Sequence, residues 1–323
     1  MAISSIPTPP LTPAKTSVRP LFLTQSPSSI DEKFLQIKQH EETIRNRPES
    51  LIVDPVTFQR DRHIRIYPYN HSRIELREVR DFEHPYMNAS PIDLGRKNET
   101  FIATQGPLKD EIGRFWRLVW QEGCEVIVML TQPYEKGREM CAVYYPEKVD
   151  EVVMEDMGIS VECLTFVKES GTAVRKLKLV KEGEERIVWH LFYPNWLDMT
   201  AAQQKDQKEL LSLIKMSRFR IDAGRAGQEQ GISRPRLVHC SGGIGRTGTF
   251  IALDSLLQDI GKWKKGNLEM DDPVFETVKR LREQRMRMVY TKEQYASIYQ
   301  MLGDHWDTWE GYLGNIYEAP SIC

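Results

Sequence analysis

The sequence predicts a mixed α/β domain on three observations. Short β-branched runs alternate with turn residues, longer stretches carry apolar residues at helical spacing, and a glycine-rich loop joins one run to one stretch. Strands are expected at 101–103, 125–130, 159–167, 176–180 and 187–193, and the Glu169-Ser170-Gly171 turn makes at least one hairpin. A first helix is expected from Ile30, with Phe34, Ile37 and Ile44 on one face, ending before Pro48. Further helices are expected near 111–122, 202–221, 246–262, 273–286 and 292–309. A mixed sheet with helices on its faces buries both kinds of apolar surface. No repeat or linker divides residues 30–310, so a single domain is expected there, followed by a short C-terminal tail at 311–323. Residues 1–29, rich in Pro, Ser and Thr, have the composition of a disordered tail.

Composition narrows the function classes. The 323 residues carry 44 Lys and Arg against 46 Asp and Glu, a net charge of -2 that gives no global field for nucleic acid or an anionic membrane. The longest apolar run, Val126 to Leu130, falls far short of the ~20 residues of a membrane helix, and the N-terminus has no apolar signal core. We therefore read the chain as cytoplasmic, with the nucleus as a further compartment. The 5 cysteines are irregularly spaced with no Cys-x-x-Cys pair, which fits neither a disulfide framework nor a zinc site.

One cysteine differs from the rest in its neighbours. Arg236-Leu237-Val238-His239 reads as a buried strand, and from Arg246 the residues Phe250, Ile251, Leu253, Leu256 and Leu257 have helical periodicity. Between them lies Cys240-Ser241-Gly242-Gly243-Ile244-Gly245, leading into Arg246-Thr247-Gly248. Glycines let successive N–H groups converge on an anion, and the helix N-terminus adds unsatisfied donors and the positive end of its dipole. Such a field stabilises a thiolate, so Cys240 is expected to ionise below the ~8.5 of an ordinary thiol and to be nucleophilic. Arg246, six residues on, can donate two parallel hydrogen bonds to phosphate oxygens, and Thr247 can offer its hydroxyl to the sulfur. Cys-x5-Arg alone is unspecific; the strand, glycines and helix around it give it weight. The loop lacks the Gly-Lys-Ser/Thr ending of a nucleotide-binding Walker loop.

His239 to Gly248 resembles the signature loop of the protein tyrosine phosphatases, His-Cys-Ser-Ala-Gly-Ile-Gly-Arg-Thr-Gly, with Gly242 in the alanine position. The resemblance extends to Asn70-His71-Ser72-Arg73-Ile74, Tyr86-Met87-Asn88-Ala89-Ser90, Thr104-Gln105-Gly106-Pro107, Phe115-Trp116-Arg117-Leu118-Val119-Trp120 and Glu135-Lys136-Gly137. It is to the cysteine-based, non-receptor members. It implies a highly twisted mixed sheet flanked by helices, with the loop at the base of a cleft, and hydrolysis of phosphotyrosine in proteins through a phosphocysteine without metal or cofactor. Trp196-Leu197-Asp198 falls where the family has its acid loop, making Asp198 the implied general acid and later base. Read alone, Asp198 serves equally well as a helix cap. The resemblance further implies that Glu135 braces Arg246, that His239 tunes the thiolate from behind, and that Gln294 belongs to the loop that places the hydrolytic water.

Three places depart from the family pattern. Counting back from His71, the pocket-wall tyrosine becomes His63 and the peptide-binding aspartate becomes Arg65, unless the loop is shifted and Tyr67 or Tyr69 forms the wall. An imidazole is smaller than a phenol ring and Arg65 reverses a charge, so selectivity for phosphotyrosine is expected to be relaxed or turned towards acidic peptides. Tyr290 replaces a glutamine of the water-placing loop, and Leu197 replaces the proline of the acid loop. These departures keep a second class in play, a catalytically weak phosphotyrosine-binding scaffold. Phosphoinositide hydrolysis is disfavoured by the uncharged stretch Ser241 to Gly245. In the tail, Lys15 and Arg19 precede Leu21-Phe22-Leu23, an order that resembles docking peptides for mitogen-activated protein kinases, so residues 15–23 are a candidate partner segment.

Overall fold

Among the described residues of a computed structural model, ten strands and eight helices build the domain around one large sheet. The structure describes residues 19–51, 55–77, 84–97, 99–154, 158–200, 206–225, 234–265 and 271–306. The strands are β1 (Ala89–Asp93), β2 (Thr100–Thr104), β3 (Val126–Met129), β4 (Tyr134–Glu135), β5 (Arg138–Glu139), β6 (Val152–Met154), β7 (Ser160–Glu169), β8 (Thr172–Lys181), β9 (Glu184–Phe192) and β10 (Arg236–His239). The helices are α1 (Pro27–Arg45), α2 (Pro55–Arg60), α3 (Ile112–Gln121), α4 (Gln207–Arg225), α5 (Gly245–Leu257), α6 (Ile260–Trp263), α7 (Pro273–Gln284) and α8 (Lys292–Trp306).

Eight strands form one sheet in the order β1-β2-β10-β3-β9-β8-β7-β6, and β4 and β5 pair separately. The centre is parallel, β10 lying between β2 and β3 with β3 against β9, and both flanks are antiparallel. This is the mixed sheet the sequence predicts. Parallel central strands are covered on both faces. Val126 and Val128 of β3 and Val238 of β10 enter one core with α1, α5, α7 and α8, whereas Ile127, Met129 and Leu237 enter a second core with α3. That period-2 alternation has a consequence for the site: Cys240 belongs to the first core, and His239 points to the opposite face, towards Tyr144.

The unit of strand, loop and helix is closed by a buried ion cluster. Arg236 at the start of β10 donates to both carboxylate oxygens of Asp254 on α5, at 3.0 and 2.6 Å, and Arg218 of α4 donates to Asp254 Oδ2 at 2.8 Å. Burial pushes the Asp254 carboxyl up, but the two arginines outweigh it and hold it below the usual range. Asp254→Ala leaves two cations under apolar cover and is expected to cost about 3–5 kcal/mol, read as a lower urea midpoint at unchanged slope.

Several expectations are corrected at the edges. Helix α1 starts at Pro27 rather than Ile30, because Ser26 caps it by accepting from the Ser29 N–H and proline suits the first turn. Residues 19–29, expected in a disordered tail, are largely exposed but have structure: Leu21–Leu23 forms a 3₁₀ turn whose buried Phe22 lies edge-on to Trp263 at 5.2 Å, and Pro27 opens α1. Residues 1–18 and 311–323 lie outside the described residues. The helix expected over 246–262 breaks between Leu257 and Ile260, and that expected over 202–221 runs from Gln207 to Arg225. Strand β1 and helix α2 had no clear sequence period. Among the described residues, no helix is long and apolar enough to cross a membrane.

Candidate active site

Strands β2, β10, β3 and β9 run parallel and so end on one edge of the sheet, where the segments that follow them converge. These segments are Gln105 to Pro107, the Cys240 loop, the turn bearing Glu135, and Trp196 to Asp198. The Cys240 loop is almost wholly buried, with Cys240 at 3% and Arg246 at 1% exposure. Gly243 has φ of +65°, and a Cβ there would lie 2.1 Å from the carbonyl oxygen of Thr104, so only glycine fits. Arg285 holds the loop from behind, donating to the carbonyls of Gly243 at 2.8 Å and Gly242 at 3.2 Å and to Asn88 Oδ1 at 2.6 Å. With carbonyls turned to Arg285, the loop's N–H groups are left for an anion. Burial pulls Arg285 down to about 10, still charged at neutral pH.

Arg246 is divided between two tasks. Its Nη1 donates to Glu135 Oε1 at 2.6 Å and to the Trp196 carbonyl at 2.9 Å, while Nη2 donates to Asp198 Oδ1 at 3.0 Å. Its Nε is buried with no hydrogen-bond partner among the described residues. The Nε/Nη2 edge is the fork that takes two oxygens of a phosphate, and in this structure one Asp198 oxygen sits on half of it. Burial opposes the Arg246 charge, yet Cys240, Asp198 and Glu135 together keep it firmly protonated. Burial pushes Glu135 up, and Arg246 outweighs this and holds it below the usual carboxylate range. Glu135 also accepts from the Asp198 N–H at 3.1 Å, tying the acid loop to the arginine. Asp198 is therefore no helix cap: it lies in a turn, with its carboxylate on Arg246.

The other predicted residues distribute unevenly. Ser241, Gly242, Ile244 and Gly245 line the buried loop, and Thr247 lies beneath it with its hydroxyl unpartnered, so the expected contact to sulfur is not made in this structure. Gln294 reaches the loop. Its Oε1 lies 2.9 Å from where a Gly245 Cβ would stand, accepts from the Tyr290 N–H at 3.0 Å, and its Nε2 donates to Thr200 of the acid loop at 3.4 Å. The Tyr290 ring instead lines a neighbouring cavity of about 750 Å³ with Phe34, Lys38 and Arg287. His63 packs on the loop: Nε2 is 2.8 Å from Ser241 Oγ, and a Cβ on Gly242 would come 3.3 Å from its ring. The same Cβ would come 3.2 Å from Ile66 Cδ1, so Gly242 is crowded by both side chains. Tyr69 is buried against Met286 and Ile44, and Tyr67 packs on the same cluster, so neither forms the wall. Arg65 is exposed, two residues on, with φ of +74°.

Sequence reasoning missed Arg285 and also Arg62, which donates to the carbonyls of Gly106 at 2.9 Å and Pro107 at 2.7 Å and so fixes the His63 segment to the sheet edge. It also missed Tyr144 and His190, a buried pair behind His239. The cluster Tyr144-Tyr145-Pro146 was the available signal. Burial pushes the Cys141 thiol up to about 12 and raises Cys124 and Cys163, which leaves these thiols protonated.

Burial also lowers His239 to about 4 and takes His190 well below its ordinary value. A histidine depressed in the folded state is penalised as pH falls from the unfolded value of ~6.5 towards the folded one, because the unfolded chain binds the proton first. Stability is therefore expected to drop on acidification from pH 6.5 to 4 by about 3 kcal/mol for His239 alone. Urea midpoints taken across that window check it.

The "Protein-tyrosine phosphatase" family model matches residues 57–304. Tyrosine-protein phosphatase 1 of Schizosaccharomyces pombe is 30% identical over 309 residues, 90% of this chain and 54% of that protein. The chain thus spans about half the length of this relative. The catalytic domain of human protein tyrosine phosphatase non-receptor type 18 superposes with a TM-score of 0.74 at 25% identity, covering 86% of this chain and 96% of that one. The same human phosphatase in complex with HER2-pY1196 phosphopeptides gives a TM-score of 0.73 at 25% identity, covering 86% of this chain and 93% of that one. With more than half of its residues matched and the same fold, the chain belongs to the protein tyrosine phosphatase family.

Proposed function

We propose that this chain hydrolyses phosphotyrosine in proteins through a phosphocysteine on Cys240. The observation that carries this reading is the buried Arg246 Nε in the loop that begins with Cys240: it has no hydrogen-bond partner among the described residues and shares its edge with the Nη2 on which Asp198 rests. In the first step Cys240 Sγ forms a bond to phosphorus as the bond to the tyrosine oxygen breaks, and Asp198 gives that oxygen its proton. Arg246 and the loop amides hold the equatorial oxygens. Incoming phosphate must displace the Asp198 carboxylate from Arg246, and the freed carboxylate takes up a proton from solvent, the proton it then gives to the leaving oxygen. Water then attacks the phosphocysteine, with Asp198 taking its proton and Gln294 as the side-chain amide at the loop. The complete set of nucleophile, arginine and acid supports catalysis over a scaffold role. A protein carrying phosphotyrosine is the partner, as for the relative seen with a phosphopeptide.

The pocket wall argues for relaxed selectivity. Burial and Arg62 lower the His63 pKa, so the wall is a neutral imidazole held to Ser241 rather than a full phenol ring. Matched phosphotyrosine and phosphothreonine versions of one peptide test both readings. We expect turnover of the phosphotyrosine form, and a tyrosine/threonine preference that rises about three- to tenfold in His63→Tyr, the worth of one aromatic contact. No turnover of either peptide would remove the proposed activity; an unchanged ratio would remove the role of His63. The exposed charge of Arg65 supports a preference for an acidic residue next to the phosphotyrosine.

We also propose a cytoplasmic location, with the nucleus second, and docking of a mitogen-activated protein kinase on residues 15–23. Leu21, the first apolar position of that order, is exposed at 64%, while Phe22, the position between, stays against Trp263.

A further inference from the structure

Three segments supply the side chains that touch the Cys240 loop and Arg246, and the residues beside those contacts are apolar and stand in solvent. Ile64, next to His63, is exposed at 66%, and Tyr134, next to Glu135, at 63%. Leu197 and Met199, on either side of Asp198, are exposed at 43% and 51%. Single apolar side chains scattered over a surface are ordinary. These four are gathered. Glu135 accepts from the Asp198 N–H at 3.1 Å, which brings the segments of Tyr134, Leu197 and Met199 together beside Arg246, while His63 lies 2.8 Å from Ser241 Oγ on the loop itself. Burial and Arg62 lower the His63 pKa and the Asp198 charge opposes them, so the acid loop lies within electrostatic reach of the His63 ring.

The acid-loop turn keeps its apolar side chains at the mouth. Thr200 closes it, donating to the Leu197 carbonyl from its N–H at 3.4 Å and from its hydroxyl at 2.8 Å, and its own carbonyl accepts from Trp196 Nε1 at 2.9 Å. Met199 is the third residue of that turn and has φ of +62°, the left-handed region in which glycine is the unstrained residue. A glycine would relieve the turn and offer no side chain. Arg65, beside Ile64, is likewise left-handed at +74°. Backbone strain of this kind collects at ligand sites, and here it stands on both segments that flank the loop.

We propose that Ile64, Tyr134, Leu197 and Met199 form an apolar collar that selects substrates carrying large apolar side chains within two residues of the phosphotyrosine. A phosphotyrosine whose phosphate reaches Cys240 brings its own chain to that mouth. At ~3.3 Å per residue in an extended peptide, two residues either way lie within about 7 Å of it. An apolar side chain laid on the collar takes apolar surface of both partners out of water, which a serine in its place does not. An acidic residue at Arg65 is compatible with this, because Arg65 occupies one point of the rim. The inference deepens the proposed phosphotyrosine hydrolysis and rests on it.

The test uses two phosphotyrosine peptides that differ only in carrying Leu or Ser at the two residues before and the two after the phosphotyrosine. In the full chain, kcat/KM is expected to favour the Leu peptide by at least about tenfold, the worth of half-covering one leucine. In the double variant Ile64→Ser/Met199→Gly the preference should fall to about threefold or less. The ratio is taken within one protein, so a partly unfolded preparation cancels. A wild-type ratio within twofold of one would overturn the proposal, as would a double variant whose ratio equals that of wild type. Both peptides are also titrated into Cys240→Ser, with and without the double substitution, where the Kd ratio should show the same preference and the same loss. Failure of the underlying reading shows separately, as no turnover of either peptide by wild type, and the Kd ratios then decide the collar alone.

Discussion

Arg246→Lys is expected to lower kcat/KM on a phosphotyrosine peptide by about 10³-fold, the size of losing a preorganised donor pair to the transition state. Lysine keeps the charge but is a point donor on a flexible stem. It cannot hold Glu135 and the Trp196 carbonyl with one nitrogen while presenting a second edge to phosphate, which is how Arg246 is arranged. The loss should fall on kcat as well as KM, because the same contacts tie down the acid loop through Glu135 and Asp198. Parallel circular dichroism and melting curves separate this from unfolding. A variant within tenfold of wild type would mean that the loop amides alone bind the phosphate.

The reach of sequence reasoning followed the reach of the contacts. The strand, glycine loop and helix from Arg236 to Leu257 are consecutive, and their local chemistry was legible residue by residue. The mixed sheet was legible from strands at 125–130, 159–167 and 187–193, whose β-branched runs have no other use. Arg285 was not legible, because its worth lies in bonds to Gly243, Gly242 and Asn88, the last 197 residues away, and an arginine in sequence reads as surface. Tyr144 and His190 fail for the same reason: each is an ordinary aromatic in its own segment, His190 reaching the face behind His239 through the β10-β3-β9 order and Tyr144 from the segment after β5. The segment 19–29 was misread on composition, since a single buried Phe22 and a capped proline outweigh a run of small polar residues. His63 Nε2 stands 2.8 Å from Ser241 Oγ, and the crowding of Gly242 by His63 and Ile66 appears in the folded chain alone.

The departures also sort themselves by distance from the chemistry. Tyr290 lines the cavity beside α1, leaving Gln294 as the side-chain amide at the loop. Leu197 stays half exposed at 43%, outside the contacts that Trp196 and Asp198 make to Arg246.

The central claim is that the Cys240 sulfur carries the phosphoryl group, and phosphate release by Cys240→Ser tests it most directly. A serine hydroxyl is poorly ionised where a thiol is not, so the loop keeps its shape and its anion site while the nucleophile is lost. We predict that release from a phosphotyrosine peptide falls by roughly 10⁵-fold or more, to background, with the melting temperature little changed. Turnover by Cys240→Ser within tenfold of wild type would contradict the account.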